Sequence, residues 1–167
     1  MPAKVIGISM NKGYEGTVAR SADSIIVNRA AAEDILFGKA VILDTNGNYA
    51  LPTASTTEDS VVGVSVREVV QTNTYFPQTN TGYLAKTPMD VLTRGIVTVK
   101  CGKGTPKSGA SVFVCIEEDT TDKLVPGDFA AEAATTAKNT VTVSNMKWHS
   151  AADANGIAEL LVTTRRD

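Results

Sequence analysis

The stretch R-G-I-V-T-V-K-C-G-K-G-T-P-K-S-G-A-S-V-F-V-C, from Arg94 to Cys115, decides between two kinds of fold. Glycines and a lysine between valine-rich runs resemble a phosphate-binding loop, which needs the pattern G-x-x-x-x-G-K-[ST] and a helix directly after it. Here the G-K pair at Gly102 is followed by Gly104, no glycine stands five residues earlier, and the next run is strand-like. Pro106 and Gly109 suit a β-turn instead. The stretch therefore predicts a hairpin corner between two strands and no nucleotide site.

Similar strand patterns occur along the rest of the chain. In V-V-G-V-S-V-R, for example, Val62, Val64 and Val66 share one face of an extended chain, because successive side chains of a strand point to opposite faces. Runs rich in valine, isoleucine and threonine are typical of strands. The predicted strands are Ser24–Asn28, Ala40–Asp44, Val61–Gln71, Asp90–Lys100, Ser111–Glu117, Thr140–Ser144 and Ile157–Thr164.

Turn signals separate these runs, at T-N-G-N (Thr45–Asn48), T-P-K-S-G (Thr105–Gly109) and D-A-N-G (Asp153–Gly156). Short strands separated in this way indicate an all-β fold, either an antiparallel β-sandwich or a jelly-roll-like barrel. The pattern has no alternation of strands and helices, which argues against a doubly wound nucleotide-binding fold. At 167 residues the chain is most simply one domain, with room for a long arm.

Two stretches could form short helices. Residues 28–38 begin with a possible N-cap at Asn28 and end at Gly38. Residues 128–139 have a helix-friendly composition, but their apolar positions are nearly all alanine, so this stretch could equally be a surface loop.

Two long polar segments do not have a strand pattern, Met10–Asp23 and Thr72–Pro88. Long loops in a compact domain are usually functional or disordered. The second segment carries Tyr75, Phe76 and Tyr83, and aromatic side chains on a polar loop favour a contact surface, because they supply area at low entropic cost.

No residue set in the chain predicts catalysis, a cofactor or a metal site. The one histidine, His149, has no serine and aspartate at a spacing that would indicate a triad, and one histidine cannot form a His-rich metal site. Cys101 and Cys115 are too few for a disulfide scaffold or a zinc site and are best explained as small buried side chains. A hairpin between the two cysteines could still bring them together for a late oxidative cross-link.

The acidic run E-E-D-T-T-D (117–122) lacks the ligand order and central glycine of a calcium-binding loop, so we expect a solvated loop, with calcium as the alternative. The net charge of -2 gives no general attraction to nucleic acid or anionic membranes. No apolar run is long enough to span a bilayer, and no signal peptide is recognisable, which predicts a protein made and kept in a cytoplasm. Basic residues cluster over 86–107 and acidic residues over 117–132, and such patches suit association with neighbouring proteins.

The order of several motifs resembles the structural cement, or capsid decoration, proteins of tailed bacteriophages. The motifs are G-Y-E-G-T-V-A-R-S-A-D-S-I-I-V-N-R, then I-L-F-G-K-A-V-I-L-D, V-V-G-V-S-V-R-E-V, D-V-L-T-R-G-I-V-T-V-K-C and finally D-A-N-G-I-A-E-L-L-V. They extend from Gly13 to Val162. No single motif is unique, so the resemblance rests on their order. The stretch from Asp128 to Asn139 matches nothing in the family pattern.

The resemblance implies a β-sandwich or jelly-roll-like body (30–167) with an extended N-terminal arm that includes the first strand (1–29). It implies a virion protein on the outer capsid surface, synthesised in the host cytoplasm, whose partners are the major capsid protein and further copies of itself as a dimer or trimer. It implies no enzyme activity, no cofactor, and no direct contact with nucleic acid or membrane. The expected contact residues are Tyr14, Arg20 and Arg29 on the arm, and Tyr75, Phe76 and Tyr83 on the second loop.

Two other functions remain compatible with the sequence. A tail- or fibre-associated β-module of a virion would share the composition and the lack of catalytic motifs. A carbohydrate-binding β-sandwich would also fit the strand pattern, although such proteins usually use several exposed aromatic platforms and only 5% of this chain is aromatic.

Overall fold

A computed structural model of the chain describes residues 11–67 and 82–164. These ranges contain strands, one 3-10 turn at Ala137–Asn139 and no α-helix, which confirms the all-β prediction. Within them, no helix is long and apolar enough to cross a membrane. The strands are β1 (Val18–Ala30), β2 (Ile35–Leu36), β3 (Ala40–Leu43), β4 (Tyr49–Ala50), β5 (Val61–Ser65), β6 (Gly82–Tyr83), β7 (Pro88–Lys100), β8 (Ser111–Cys115), β9 (Phe129–Ala130), β10 (Thr140–Trp148) and β11 (Ile157–Val162).

Every predicted strand is present, with different ends. The first strand begins at Val18 rather than Ser24, so part of the polar segment 10–23 is strand. Strand β5 ends at Ser65, and residues 68–71 of its predicted run lie outside the described residues. Strand β10 continues to Trp148, beyond the predicted end at Ser144.

Nine strands form one antiparallel sheet in the order β4-β3-β5-β7-β11-β10-β8-β9, and β1 pairs with β7 outside that path. The sheet curls into a half-barrel. The curl brings β9 beside the residues that follow β7, where Gly102 N–H donates to Phe129 O over 2.8 Å and Ala131 N–H donates to Lys103 O over 2.8 Å. The main core lies inside the curl, with Trp148 as its largest side chain.

Strands β2 and β6 form a separate two-stranded ribbon, in which Ile35 is paired with Tyr83. A second core joins this ribbon to residues of β3, β4 and β7, including Val41, Tyr49 and Met89. The ribbon is therefore a small second layer on the large sheet.

Strand β1 crosses over β7, the central strand of the sheet. At Val97, β7 is paired with β1 and with β11, so β1 begins on the edge opposite β11. At Leu92, β7 is paired with β1 and with β5, so the second half of β1 lies opposite β5. Because β5 and β11 occupy opposite edges of β7, β1 changes edge between Arg20 and Ile25, where its register shifts.

The crossing depends on a glycine in β7. Gly95 has a φ of +129°, and a Cβ atom there would lie 3.2 Å from Ser24 Cα. A side chain at this position would push against the crossing segment, and the backbone conformation is one that favours glycine. The glycine of the R-G-I-V motif is therefore required where two chain segments meet closely.

The predicted hairpin between Arg94 and Cys115 is wrong. Strand β7 pairs with β11, whereas β8 pairs with β10 and β9, so the intervening loop connects strands that are not neighbours. The predicted turn does form inside this loop, because Ala110 N–H donates to Lys107 O and Gly109 has a φ of +81°. The loop follows one strand and leads into another, as expected of a corner.

Neither of the two stretches considered as possible helices forms an α-helix. Residues 28–38 form the end of β1 and strand β2, because Ala31 N–H donates to Thr87 O of a distant segment instead of a helical partner. Residues 128–139 contain strand β9 and the 3-10 turn, and Ala134 in this stretch is buried. Pairing with distant strands overrides the weak local preference for helix in both stretches.

Strand β5 contains a bulge at Val62. Val41 is paired with Gly63 and Ile42 with Val61, so Val62 is the extra residue. As a result Val62 packs against the second core, while Val64 lies in the main core. The expectation that both valines share one face is corrected by this irregularity.

We predict that Gly95→Ala destabilises the protein more than Gly109→Ala. Both glycines have a positive φ, which costs an alanine about 1–2 kcal/mol. Only the Cβ at position 95 meets another segment, which adds about 1–3 kcal/mol of overpacking. Urea denaturation measures both free energies of unfolding, and equal losses would contradict the close crossing.

Candidate functional site

The segment from Gly13 to Gly16 is bonded to the body of the protein. Gly16 N–H donates to Thr98 O over 2.8 Å, and Arg67 N–H donates to Gly16 O over 2.9 Å. The Thr98 hydroxyl donates to Tyr14 O over 2.6 Å. These bonds fix the segment Gly13–Gly16 to strand β7 and to Arg67, which follows β5.

Two glycines make this attachment possible. Gly16 and Gly38 both have positive φ, +76° and +72°. A Cβ on Gly16 would lie 2.9 Å from Phe37 Cβ, and a Cβ on Gly38 would lie 2.8 Å from Glu15 Cβ. Real Cβ atoms do not approach so closely, so the G-Y-E-G and F-G motifs are in direct backbone contact.

The side chains of the same motifs form a stack. The guanidinium of Arg67 lies 4.8 Å from the ring centre of Phe37 and 5.4 Å from that of Tyr14. These distances are within the range of cation–π attraction. Phe37 in turn meets the ring of Tyr83 edge-on, with the centres 5.2 Å apart. Tyr14 covers the outer end of the stack and remains 73% exposed.

Tyr83 is a core residue in this structure. It is 2% exposed, and its hydroxyl donates to Val66 O over 2.6 Å. The expectation that its ring forms part of an external contact loop is therefore not met here. Tyr75 and Phe76, the other two aromatic residues predicted for that loop, lie outside the described residues.

The N-terminal segment is also bonded to the body at Lys12, just before Gly13. Lys12 N–H donates to Asp153 Oδ2 over 2.7 Å, and Lys12 Nζ donates to Ser150 Oγ over 2.7 Å. The Lys12 N–H is the largest cause that holds the pKa of Asp153 below its usual value. From Asn11 to Ala30 the chain thus lies on its own body, which places Tyr14, Arg20 and Arg29 on the surface of that body.

The β1 surface is exposed along most of its length. Arg20 and Arg29 are both exposed, and Arg29 Nη1 donates to Gly47 O over 3.0 Å. Ile25 is 48% exposed and Ile26 is 37% exposed. Adjacent exposed isoleucines on a strand are unusual, because one of the two faces of a strand is normally buried. We define Arg20, Ile25, Ile26 and Arg29 as the β1 face.

Sequence reasoning missed the two isoleucines of the β1 face, because S-I-I-V is also the pattern of a buried strand. The register of β1 against β7 shifts between Ile25 and Ile26, and such a shift leaves no local pattern in the sequence.

A cleft of about 540 Å³ adjoins the β1 face at the crossing. Arg20, Asp23 and Arg94 provide its charged lining, and Ile96 and Leu161 provide apolar lining. Arg94 Nη2 lies 3.0 Å from Asp23 Oδ2 and Arg94 Nε lies 3.1 Å from the same oxygen. Arg94 was not predicted as a contact residue.

The acidic run at 117–122 is a loop with exposed positions such as Glu118, as expected, but Asp119 in it is buried and its oxygens are not free for calcium. Asp119 is 2% exposed, and its Oδ1 accepts the N–H groups of Thr121 and Asp122. Its Oδ2 accepts hydrogen bonds from Thr136 N–H and Asn139 Nδ2. These donors, the Asp122 N–H first, lower the pKa of Asp119. Protein donors therefore occupy both of its oxygens.

Asp122 contributes to the same contact. Its Oδ2 lies 2.8 Å from Lys103 Nζ and accepts the Thr135 N–H over 2.6 Å. The Lys103 ammonium is the largest cause that lowers the pKa of Asp122. The two aspartates thus connect the loop after β8 to the Ala- and Thr-rich stretch before β10, which explains their burial.

The two cysteines and the histidine are the remaining candidates for a reactive site, and their surroundings fit a structural role. Both cysteines are free, and burial raises the pKa of Cys115 to about 11, which makes its thiol a poor nucleophile. His149 Nε2 lies 3.9 Å from Glu159 Oε2 across a strand pair. In residues 11–67 and 82–164, no three His, Cys, Asp or Glu side chains are grouped to hold a metal ion.

Comparisons with known proteins agree with this geometry. A family model described as "Structural cement protein (E217 gp24/Pam3 gp6)" matches residues 1–163. Five solved chains match the structure. One of them, from "The capsid of Myoviridae Phage XM1", superposes with a TM-score of 0.67 over 97% of each chain at 16% sequence identity, which shows a shared fold. No curated protein matches the chain.

We predict that Gly38→Ala releases the segment Gly13–Gly16 from the body. The new methyl group would collide with Glu15, so the hydrogen bond from Gly16 N–H to Thr98 O should open more often. Hydrogen exchange at the Gly16 amide should accelerate, while exchange at the Leu160 amide in β11 should change little. Unchanged exchange at Gly16 would mean that the two glycines do not hold the segment.

We predict that Asp119 stabilises the fold only above acidic pH. Because its pKa is lowered on folding from 3.8, the unfolded chain takes up the proton first as the pH falls. Stability from this group is complete well above pH 3.8 and is lost as the pH falls through the lower folded-state pKa. The melting temperature of the wild type should therefore decrease below about pH 4.

The Asp119→Asn variant should melt lower at pH 7 and lose less on acidification, because it has no carboxylate to protonate. Glu118→Gln, an exposed neighbour in the same run, is the matched control and should follow the wild type. Parallel melting curves for wild type and Asp119→Asn across this pH range would contradict the assigned role.

Proposed function

The chain belongs to the structural cement protein family of bacteriophages, and we propose that it binds the outer surface of a phage head where major capsid subunits meet. Membership of the family makes it a structural virion protein that associates with and stabilises the capsid shell. The observation that carries the proposal is the family match, which covers residues 1–163 and so includes the whole described fold.

The surface that we propose for this contact is the β1 face together with Tyr14. Arg20 and Arg29 would pair with capsid carboxylates, while Ile25, Ile26 and the exposed ring of Tyr14 would supply apolar contact area. Exposed aromatic and arginine side chains are typical of interface hot spots. Many modest contacts of this kind, repeated over a shell, give a large total stabilisation.

We further propose that the protein acts as a dimer or trimer and contacts neither nucleic acid nor membrane. The separated basic and acidic stretches of the sequence favour self-association, and the net charge of -2 gives no general attraction to nucleic acid. We propose that it is not an enzyme, since its family is structural. The division into an N-terminal arm (1–29) and a body (30–167) also remains a proposal.

The family match favours this function over the other two that the sequence permits. A tail- or fibre-associated module would share the fold but not the cement family. A carbohydrate-binding sandwich needs several exposed aromatic platforms. Among the large apolar side chains that are exposed in the described ranges, only Tyr14 is aromatic.

We predict that the purified chain co-sediments with expanded phage heads to saturation and raises the temperature at which they disrupt. The double variant Tyr14→Ala, Arg20→Ala should bind at least about tenfold more weakly, because one interface hot spot alone contributes that much. Both side chains are exposed, but Tyr14 also lies against Arg67, so hydrogen exchange at the Gly16 amide should be compared with the wild type to check that the segment stays attached.

A second double variant, Lys107→Ala and Lys138→Ala, changes exposed residues away from β1 and should bind as the wild type does. Equal binding by the Tyr14, Arg20 variant and the wild type would exclude the assigned surface. Failure of the wild type to bind expanded heads at all would exclude the cement role.

A further inference from the structure

The cleft beside the crossing of β1 and β7 combines charge with apolar surface. Its charged lining residues are Arg20, Asp23 and Arg94, and its apolar lining residues include Ile96 and Leu161, both half-buried. The cleft borders the β1 face through Arg20. It is large enough for a few residues of an extended chain, since its volume is about 540 Å³.

The two arginines of the cleft differ in whether they have a partner within the protein. Arg94 is held by Asp23 through two contacts to one carboxylate oxygen. Arg20 is exposed, and among the described residues its guanidinium has neither an ion-pair nor a hydrogen-bond partner. Arg20 is therefore available to an incoming anion, with its five donors arranged to suit a carboxylate.

Threonines complete the polar side of the cleft. Thr163 Oγ1 donates to Asn145 O over 3.0 Å, which fixes its side chain, and Thr164 is exposed. The cleft is therefore lined by both polar and apolar side chains. Successive side chains of an extended peptide point in opposite directions, so such a peptide can present polar side chains on one face and apolar side chains on the other.

We propose that this cleft binds an extended acidic segment of the shell protein. An aspartate or glutamate side chain pairs with Arg20, and a neighbouring apolar side chain lies over Ile96 and Leu161. The inference rests on the proposed function, since it names the chemistry of the partner at that surface. It assigns Arg20 to a defined cleft rather than to a general charge patch.

A nucleic acid fits the cleft less well. Among the described lining residues, Asp23 offsets the charge of Arg94 and leaves Arg20 as the one unpaired charge, which suits a single carboxylate better than a row of phosphates. The lining also has no aromatic ring on which a base could stack, the usual device of single-strand binding. An acidic peptide needs one free cation and an apolar lining, and both are present.

The test uses 15N-labelled full-length protein and the peptide acetyl-Ser-Leu-Glu-Val-Gly-amide. Titration should shift the amide signals of Gly95, Leu161 and Thr163 and reach saturation. The matched peptide with glutamine in place of glutamate should bind about two- to fivefold more weakly, the loss expected for one exposed ion pair. Equal binding of the two peptides would overturn the proposal.

Two protein variants separate the cleft from general charge. Arg20→Gln should lose the preference for the glutamate peptide, whereas Lys100→Gln, which removes the same charge from an exposed residue of β7 outside the cleft, should keep it. Arg20→Glu should reverse the preference toward a peptide with lysine in place of glutamate. Loss of the preference in Lys100→Gln as well would leave only a general charge effect and would overturn the site.

Three further outcomes also decide between the proposals. Tighter binding of a short thymidine oligonucleotide at the same amides would overturn the peptide assignment in favour of nucleic acid. If the wild type binds expanded heads but shows no preference for the glutamate peptide, the cleft proposal fails and the cement role stands. A glutamate preference without head binding would support the cleft chemistry and exclude the cement role.

Discussion

Strand β7 is the element on which the rest of the structure depends, because β5, β11 and β1 all bond to it. Its two edges are shared in an unusual way, since β1 bonds to one edge near Val97 and to the other near Leu92. The crossing requires Gly95, where a side chain would meet Ser24. The same crossing creates the cleft and holds the β1 face at the surface, so one glycine positions both proposed contact regions.

The family pattern has a physical explanation in the contact between Gly16 and Gly38. Each glycine has a positive φ, and each excludes a side chain where the two backbones meet. Arg67, from the third motif, lies between the rings of Tyr14 and Phe37 from the first two. Three motifs that are far apart in the sequence therefore converge on one place. Their role is to fix the N-terminal segment to the body, which keeps β1 in position.

The strands of this fold could be predicted from the sequence, because alternating valines and turn residues are local signals. The crossing of β1 could not, since register against a distant strand leaves no local pattern, and the hairpin predicted after Arg94 failed for the same reason. Asp119 was expected in solvent because its neighbours are acidic, but N–H groups of its own loop and of the stretch before β10 bind it. Tyr83 was predicted as a contact from composition alone, and packing against Phe37 places it in the core. Arg20 and Arg29 were predicted as contact residues, and their exposure is compatible with that role.

The most direct measurement of the central claim is an electron cryomicroscopy reconstruction of expanded heads saturated with the protein. The account predicts density for the fold on the outer surface at junctions between capsid subunits, with the β1 face and Tyr14 turned toward the shell. An acidic segment of the shell protein should lie beside Arg20. Density in which the β1 face points to solvent, with the opposite side of the sheet on the shell, would contradict the account.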